Sequence, residues 1–273
     1  MSPERHLSRL TWPEVQAAAS HPGSTVVWPW GAVEQHGPHL PLGTDGLFAE
    51  RVLDAALDQL APERPVWRLP LQAIGFSPEH QAFPGTLSLP VHLLVELIGT
   101  VGRQLAACGF QRLVLLNGHG GQIGMLQTAA RALRADVPRL GVLPCFLWSG
   151  PEGVAELIPA AERHQGLHAG LAETSLMLHL APRQVGGERP RDGLLPTPPP
   201  QGWSLEEAAP TAWLMEDLSE SGVVGDSQGS TAALGSQLFE RLVAGWSRRF
   251  DSLLVSDWPP NGASGGLPGR QND

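Results

Sequence analysis

Lysine is absent from this chain of 273 residues, and all eighteen of its Lys+Arg positions are arginine. This absence excludes a P-loop lysine and a lysine Schiff base, and with them two large classes of enzyme. The formal net charge is -9 and no basic stripe is visible, so a nucleic-acid backbone is not expected as a partner. Charged residues make up only 16% of the chain, which makes a local cluster of acids and histidines informative.

Cysteine is also scarce. Cys108 and Cys145 are the only two, and neither lies in a CxxC pair. A disulfide framework or a thiolate zinc site is therefore not expected. The N-terminal segment carries Glu and Arg without an apolar core, so it is not predicted to be a signal peptide. A soluble cytoplasmic protein is the expectation.

Long apolar runs are missing as well. The longest apolar region, residues 91–109, is interrupted by His92, Glu96 and Arg103. It is predicted to be too polar to span a membrane, and no membrane partner is expected. Hydrophobic residues still make up 42% of the chain, so a sizeable core can form and wholesale disorder is not expected.

Short apolar runs alternate with amphipathic stretches along the chain. Buried strands are predicted for the runs STVVWPWGA, RPVWRLPLQAIG, QRLVLLNG and LGVLPCFLW. Helical spacing predicts helices over residues 47–60, 94–105 and about 123–135, with Gly109 as the stop signal of the second. This alternation predicts an α/β fold with a mostly parallel sheet covered on both faces. Such a sheet binds its ligands at the carboxyl ends of its strands.

One domain over residues 1–255, followed by a disordered tail over residues 256–273, fits the length and composition. No internal repeat divides the chain. The segment of residues 186–202 is proline-rich, and it fits either a long surface loop or an arm that contacts another subunit.

The segment GAVEQHGPHLPLGTD, residues 31–45, places Glu34, His36, His39 and Asp45 among glycines and prolines. On an extended strand, residues two apart share a face, so Glu34 and His36 can point the same way. Carboxylates and an imidazole on one rim suit a borderline metal such as Zn, Mn or Fe. Any one of these residues alone is better explained as a turn residue or a surface charge, but four together favour a metal site. His39 is expected either to orient a ligand through a hydrogen bond or to make a structural hydrogen bond.

Two later segments add candidate ligands. The run VLLNGHGGQ takes a strand into a glycine-rich turn that holds His119 at the edge of the sheet. Such a turn could instead bind a phosphate at a helix N-terminus, but the GxGxxG spacing is missing. In HAGLAETSLMLHL, His168 precedes a helix and Glu173 lies in its first turns, where a carboxylate is favoured in any case. The combined candidate ligands for two metal ions, with Asp45 as the bridge, are Glu34, His36, Asp45, His119 and Glu173.

A further segment, IGFSPEHQAFPGTLSL, adds Ser77, Glu79 and His80. The Phe-Pro-Gly-Thr sequence that follows them predicts a rigid turn, so the segment is expected to shape a pocket wall. For His80, substrate contact or a structural role is favoured over direct catalysis.

A serine hydrolase is the competing interpretation of one motif. GDSQG, residues 225–229, matches GxSxG around Ser227. The triad order of such enzymes requires a histidine after the serine, and the last histidine of this chain is His179. The serine mechanism is therefore disfavoured.

Five segments resemble, in order, the hallmark segments of the creatininase (creatinine amidohydrolase) family: EQHGPHLPLGTD, HQAFPGTLSL, NGHGGQ, HAGLAETSLML and GVVGDSQGSTAALG. The resemblance runs from about residue 28 to residue 242. It implies a three-layer α/β/α sandwich, two divalent metal ions, and hydrolysis of a non-peptide or unusual amide C–N bond. It also implies a homo-oligomer, often a hexamer. The resemblance places Glu34, His36, Asp45, His119 and Glu173 on metal-ligand positions and assigns catalytic roles to His168, for proton transfer, and to Glu173.

Departures from the family pattern bear on the substrate. Gln122 stands where many members have Asn, and Leu171 stands where a second acidic residue is common. Creatininase proper has an acidic ligand after its NGH, where this chain has Gly-Gly, so creatinine is not the expected substrate. The family also contains deformylases of ring-opened pyrimidine intermediates and a peptide-trimming branch. The sequence predicts an amidohydrolase for a small-molecule amide, with a peptide-trimming metallopeptidase or a non-catalytic metal- or ligand-binding oligomeric module as alternatives.

Overall fold

A parallel sheet forms the centre of the computed structural model, which describes residues 4–193, 199–205 and 209–259. Its strands are β1 (Thr25–Trp30), β2 (Val66–Arg68), β3 (Arg112–Asn117) and β4 (Gly141–Phe146), in the order β2-β1-β3-β4. All four predicted strands are confirmed. β1 pairs with β3 in parallel up to Trp30 opposite Asn117. Because these two strands end together, the loops that follow them leave the same edge of the sheet.

Helices alternate with the strands. They are α1 (Trp12–Ala19), α2 (Thr44–Asp58), α3 (Val91–Cys108), α4 (Ile123–Asp136), α5 (Ala160–Gln165), α6 (Leu171–Leu180), α7 (Met215–Leu218) and α8 (Ala232–Leu254). The three helices predicted from apolar spacing are confirmed as α2, α3 and α4. Gly109 ends α3 with a φ of 109°, in the left-handed region that favours glycine.

The sheet is covered on both faces, which confirms the three-layer α/β/α sandwich. Successive residues of a strand point to opposite faces. Val27 and Leu116 pack in one core with α2, α6 and α8, whereas Val26 and Leu115 pack in the other with α1, α3 and α4. Because α2 and α6 share one core, their first turns are fixed relative to each other.

α3 corrects an expectation about polarity. It is the one helix of the described residues long and apolar enough to cross a membrane by length and composition, with a mean hydropathy of 1.2 over 18 residues. The prediction that this region is too polar for a span therefore does not hold by these two measures. In the fold, Leu94, Ile98 and Leu105 are buried in a core. Arg103 and Glu96 form an ion pair at 3.0 Å on the outer face.

The chain after α8 contacts the sheet as far as it is described. Arg112 Nε donates to Trp258 O at 2.5 Å, and Arg112 Nη2 donates to Ser256 O at 2.6 Å. Residues 260–273 of the predicted tail lie outside the described residues, and the boundary at residue 255 stays a prediction.

The proline-rich segment is described in part. Arg191–Asp192 (β5) pairs antiparallel with Gly225–Asp226 (β6). Residues 194–198 lie outside the described part of the chain. The choice between a surface loop and a subunit-contact arm therefore stays open.

Candidate metal centre

The loops after β1 and β3 stay side by side where they leave the sheet. Gly118 N donates to Trp30 O at 2.8 Å. A Cβ on Gly118 would lie 2.5 Å from Asp45 O at the start of α2, so only glycine permits this close approach. The next residue, His119, is thereby brought to the first turn of α2.

Glu34, Asp45 and His119 form the first cluster of possible metal ligands, with one ligand atom of each within 4.8 Å of the others. His119 Nδ1 lies 3.1 Å from Glu34 Oε1 and 3.5 Å from Asp45 Oδ2. All three residues are buried. Despite these short distances, Glu34 Oε1 and Asp45 Oδ2 have no hydrogen bond of acceptable geometry. Buried oxygens without a hydrogen bond are costly, so this cluster fits a cation.

His36, Asp45 and Glu173 form a second cluster by the same measure. His36 Nε2 lies 3.3 Å from Asp45 Oδ1. Glu173 reaches the cluster from the first turn of α6. Asp45 therefore belongs to both clusters, with Oδ1 toward His36 and Oδ2 toward His119, which is the arrangement that a bridging carboxylate requires.

Fixed acceptors decide which ring nitrogen of each histidine would bind a metal. His36 Nδ1 lies 3.1 Å from the carbonyl oxygen of Glu34, which can only accept a hydrogen bond, so Nδ1 donates. His119 Nε2 lies 3.1 Å from the carbonyl oxygen of Phe76, so Nε2 donates there, with Glu79 Oε1 3.2 Å away. Nε2 of His36 and Nδ1 of His119 therefore face the clusters. Ligand histidines are oriented in this way by acceptors on the far side of the ring.

Burial shifts the pKa values of two of the three buried carboxylates upward, and nearby positive charge shifts the third downward. Burial and the negative charge of Glu34 raise the pKa of Asp45. Burial raises the pKa of Glu173 to about 7, with His36 opposing the rise and Asp45 adding to it. Burial alone would also raise the pKa of Glu34, but the surrounding histidines, His119 first, together outweigh burial and hold that pKa well below its usual range. A divalent cation would favour the ionised form of all three carboxylates.

The two ligand histidines supply positive charge themselves. Burial alone would lower the pKa of His36, but the charge and hydrogen bond of Asp45 raise it to about 10. Burial alone would also lower the pKa of His119. The nearby carboxylates, Glu34 first, together outweigh burial and raise that pKa well above its ordinary value. Because a metal ligand must be deprotonated, metal binding at these histidines would release protons.

His168 differs from them. Its Nε2 donates to Gln35 O at 2.7 Å, which leaves Nδ1 on the side of Glu34, 4.0 Å from Oε1. Burial and the charge of His36 hold the pKa of His168 well below its usual range. The ring is therefore neutral, with the lone pair of Nδ1 toward the clusters. The structure thus brings together all the predicted site residues: Glu34, His36, Asp45, His119, His168 and Glu173.

His39 lies outside the four clusters of possible ligands found among the described residues. Its Nε2 donates to Thr174 Oγ1 at 2.8 Å, and that hydroxyl donates to Ala169 O at 3.1 Å. Burial, followed by the charges of His36 and Arg189, lowers the pKa of His39 to about 4. His39 therefore supports, as a neutral ring, the turn from which α6 and its carboxylate project.

The SPEH segment comes closer to the clusters than the sequence predicts. Ser77 Oγ donates a short hydrogen bond to Glu34 Oε2, and Glu79 Oε1 lies 3.2 Å from His119 Nε2. A Cβ on Gly121 would overlap the carboxylate of Glu79. The second glycine after His119 was therefore an available signal that another side chain enters there. A further cluster of possible ligands consists of Glu34, Glu79 and His80.

Gln122 has a structural role. Its Nε2 donates to Asn117 Oδ1 at 2.8 Å and to Gly31 O at 3.1 Å, and its Oε1 accepts from Phe76 N at 3.2 Å. One side chain thus joins three loops around the clusters. Its presence in place of Asn is explained by these three contacts.

Leu171 is likewise explained by its surroundings. The side chain is buried, and its backbone N–H donates to Glu162 Oε1 at 2.8 Å. Glu162 Oε2 also accepts the backbone N–H of Asp226 at 3.0 Å. The carboxylate of Glu162, in α5, therefore stabilises the start of α6.

A cavity of about 420 Å³ opens onto the clusters. Its apolar wall includes Phe146, Trp148, Ile158, Leu167 and Trp213. Arg163 is the one arginine among the described residues that line it. A larger groove of about 800 Å³ lies along β4 and α8 but contains none of the cluster residues, so size alone does not mark the site. A cavity that is polar at one end and apolar at the other fits an organic substrate.

Buried carboxylates and histidines at the carboxyl edge of a parallel sheet, beside a cavity, define a metal-dependent hydrolase. The model of the creatininase family, described as creatinine amidohydrolase, matches residues 8–250. The chain therefore belongs to the creatininase family, whose members are metal-dependent amidohydrolases that act on C–N bonds.

Known relatives differ in substrate. The mycofactocin precursor peptide peptidase of Mycobacterium tuberculosis is 38% identical over 242 residues, which cover 86% of each chain. The creatinine amidohydrolase of Pseudomonas putida is 30% identical over 214 residues, covering 73% of this chain and 81% of that protein. A solved creatininase point mutant of Zn–Zn type has a TM-score of 0.73 and 25% identity, over 93% of this chain and 100% of the other. The resemblance found from the motifs is thereby confirmed.

Proposed function

We propose that this protein hydrolyses a peptide-type amide bond at a site for two divalent metal ions bridged by Asp45. The observation that carries the proposal is the shared position of Asp45. Its Oδ1 lies 3.3 Å from His36 Nε2, and its Oδ2 lies 3.5 Å from His119 Nδ1. Few roles other than bridging two ions explain a buried carboxylate at the junction of two ligand clusters.

The remaining ligands divide between the two positions. Glu34 and His119 would hold one ion, and His36 and Glu173 would hold the other. Carboxylate and imidazole ligands accept Zn, Mn or Fe. Such ions lower the pKa of a bound water toward neutrality and polarise a carbonyl oxygen.

His168 moves the proton in this proposal. Its Nε2–H is committed to Gln35 O at 2.7 Å, so the ring cannot turn without losing that bond. Its Nδ1 would therefore accept a proton from the water that attacks the carbonyl carbon, and would deliver it to the leaving nitrogen as the C–N bond breaks. Because the pKa of His168 is lowered, the ring releases that proton readily.

The proposed substrate is a short peptide with an apolar side chain beside the scissile amide. The identity with the peptide peptidase exceeds that with the creatinine amidohydrolase, and the cavity has an apolar wall. Arg163 Nη1 donates to Ala155 O at 3.1 Å, and no carboxylate of the described residues lies within ion-pair distance of its guanidinium. Arg163 is therefore available to a carboxylate of the substrate. A cyclic amide or formamide is the second candidate, favoured by the likeness to creatinine amidohydrolase.

A homo-oligomer is part of the proposal. Leu87, Val91 and Leu93 lie close together in sequence and are 51%, 44% and 50% exposed. Large apolar side chains so exposed are expected to be covered by another subunit. Light scattering should give a mass that is a multiple of 29.1 kDa. A monomeric mass at micromolar concentration would contradict this part.

Metal removal tests the proposed chemistry. Metal analysis of the purified protein should give two ions per chain. Chelation should abolish, and addition of Zn or Mn should restore, hydrolysis of a panel containing creatinine, 2-pyrrolidinone, N-formyl amines and short peptides. Full activity without metal would overturn the proposal. Two bound ions with no hydrolysis of any panel member would favour a non-catalytic metal-binding module instead.

A further inference from the structure

We propose that Gln35 holds His80 as a neutral imidazole with its proton on Nε2, so that His80 donates a hydrogen bond to the substrate and is not a metal ligand. The identity of the acceptor, a substrate amide, rests on the proposed function, whereas the position of the proton does not. His80 is only 1% exposed and lines the cavity.

The side-chain amide of Gln35 has a fixed orientation. Its Oε1 accepts the backbone N–H of Gly37 at 2.8 Å, and its Nε2 donates to Gly222 O at 3.0 Å. Exchange of the oxygen and nitrogen by a flip of the amide would put two donors together at Gly37 and two acceptors together at Gly222. Because both neighbours are backbone groups with fixed roles, only the observed orientation satisfies them.

This orientation decides the protonation of His80. Gln35 Nε2 lies 2.9 Å from His80 Nδ1. An amide NH₂ group donates and cannot accept, so Nδ1 must accept with its lone pair. The proton of the neutral ring is then on Nε2. A second proton on Nδ1 would set two N–H groups against each other.

A protonated Nε2 excludes His80 from the metal ligands. Nε2 lies on the cluster side, 3.6 Å from Glu34 Oε1. A metal binds imidazole only through an unprotonated nitrogen. The spacing of Glu34, Glu79 and His80 resembles a third metal site, but His80 cannot complete it.

The same N–H is available to the substrate. At 3.6 Å, Glu34 Oε1 is beyond hydrogen-bonding distance of Nε2. The ring is held between His168 and Trp213, with centroid distances of 4.2 and 6.4 Å. A donor fixed in this way can stabilise the negative charge that develops on the amide oxygen during hydrolysis. Gln35 is then a positioning residue, and His80 is a catalytic residue.

Nitrogen-15 NMR of the zinc-loaded full chain, labelled at histidine, measures the position of the proton directly. We expect His80 Nε2 to have the shift of a protonated nitrogen and Nδ1 that of an unprotonated one. The reverse tautomer, or a doubly protonated ring, would overturn the inference. Gln35→Glu replaces the donor by an acceptor, so a proton should appear on Nδ1. If a folded Gln35→Glu variant gave an unchanged spectrum, Gln35 would not determine the position of the proton on His80.

Substitutions at His80 separate a donor from a ligand. His80→Phe should keep the wild-type zinc content and reduce kcat on the best panel substrate by about 10²–10³-fold, as for the loss of an oxyanion donor. His80→Gln carries an N–H near the position of Nε2 and should recover part of kcat. His21→Phe, in the exposed loop after α1, is the matched control and should change neither quantity.

The zinc content tests whether His80 is a ligand, and kcat tests whether it is a donor. Loss of zinc from His80→Phe would make His80 a ligand, and an unchanged kcat would exclude a donor role; either result overturns the inference. If the wild-type protein hydrolyses no panel member, the proposed function fails. In that case the tautomer and the zinc content still decide between a donor and a ligand at His80.

Discussion

Glu173 holds the backbone of Ala169, four residues before it in the chain: its Oε2 accepts the Ala169 N–H at 2.6 Å. Ala169 has a φ of 52°, the one non-glycine residue with positive φ in the described part of the chain. A left-handed conformation costs a residue with a Cβ about 1–2 kcal/mol. One carboxylate therefore both joins the proposed metal site and stabilises the turn that positions His168.

Two substitutions separate these roles of Glu173. Glu173→Gln keeps an oxygen for the Ala169 N–H but loses the charge, whereas Glu173→Ala loses both. We expect both variants to lose a metal ion and most turnover. Only Glu173→Ala should also lose about 1–3 kcal/mol of stability in the metal-free state, because the buried N–H is left without an acceptor. Urea unfolding of the chelated proteins measures the difference, and equal stabilities of the two variants would refute it.

The same pair predicts a pH dependence. The pKa of Glu173 is raised from 4.5 to about 7 in the folded state. The folded metal-free protein therefore binds more protons than the unfolded chain in this window, so this group makes stability fall as pH rises from 4.5 to 7. Glu173→Gln lacks this group. The free energy of unfolding of Glu173→Gln, minus that of the chelated wild type, should increase from pH 4.5 to pH 7 and level off above pH 7. A difference that does not change with pH would contradict the raised pKa of Glu173.

Asp45→Asn should be the most damaging change at the site. It keeps the size of the side chain but removes the charge that offsets two adjacent dications, and electrostatic interactions are strong in a buried site. We expect the loss of at least one ion and nearly all turnover, with the fold retained. Glu34→Gln should weaken one position and leave ions at the other. Metal counting on the two variants decides this, and two ions bound to Asp45→Asn would mean that Asp45 is not the bridge.

His39→Ala should weaken metal binding without removing a ligand. The change breaks the hydrogen bond to Thr174 Oγ1 and frees the turn before α6. Loss of an orienting partner of this kind costs roughly 10–100-fold in metal affinity. Thr174→Val removes the same bond from the other side and should have a similar effect. Competition with a chromogenic chelator gives the affinities, and wild-type values for both variants would assign His39 a purely structural role.

Arg163→Gln tests the substrate carboxylate. For a peptide with a free C-terminus, KM should rise about 10-fold or more, in line with the loss of a charged hydrogen bond, while kcat changes little. The C-terminally amidated peptide should show no such dependence. Arg131→Gln, on the exposed face of α4, serves as the control. An equal KM increase for free and amidated peptides would exclude recognition of a carboxylate by Arg163.

Asp192, in β5, gives a test of stability away from the site. Its carboxylate accepts hydrogen bonds from Ser219 Oγ at 2.7 Å, Ser221 Oγ at 2.6 Å and Gly193 N at 2.7 Å. Burial alone would raise the pKa of Asp192, but the bonds from Ser221 and Ser219 outweigh it and lower the pKa from 3.8 to about 2. Because the folded pKa is depressed, this stabilisation is present above pH 3.8 and is lost as the pH falls toward 2.

Asp192→Asn should therefore be less stable than the wild type at pH 6, and the difference should shrink between pH 4 and pH 2. Urea unfolding at several pH values measures this difference in the free energy of unfolding. Glu216→Gln, at an exposed position on α7, is the control. A stability difference that stays constant down to pH 2 would show that the charge of Asp192 does not contribute.

The amino-acid sequence by itself determined the layers of the fold and predicted the candidate ligands of the site. Apolar spacing is a local property, and it predicted β1, β3, α2 and α4 because buried strands and amphipathic helices show it within one segment. The candidate ligands were also readable from sequence, since carboxylates and histidines in glycine-rich turns serve few other purposes. Apolar spacing also predicted α3, but its mean hydropathy of 1.2 alone does not distinguish a membrane span from a helix whose Leu94, Ile98 and Leu105 are buried in a core.

Only the tertiary structure decided how those residues are used. The two oxygens of Asp45 face different histidines because the first turn of α2 packs against both Gly31, after β1, and Gly118, after β3. The proton of His80 is fixed by Gln35, whose orientation depends on Gly222, a residue 187 positions away in the chain. Such roles follow from hydrogen-bond directions over about 3 Å. Those directions exist only after distant segments have packed, so no local pattern of residues can specify them.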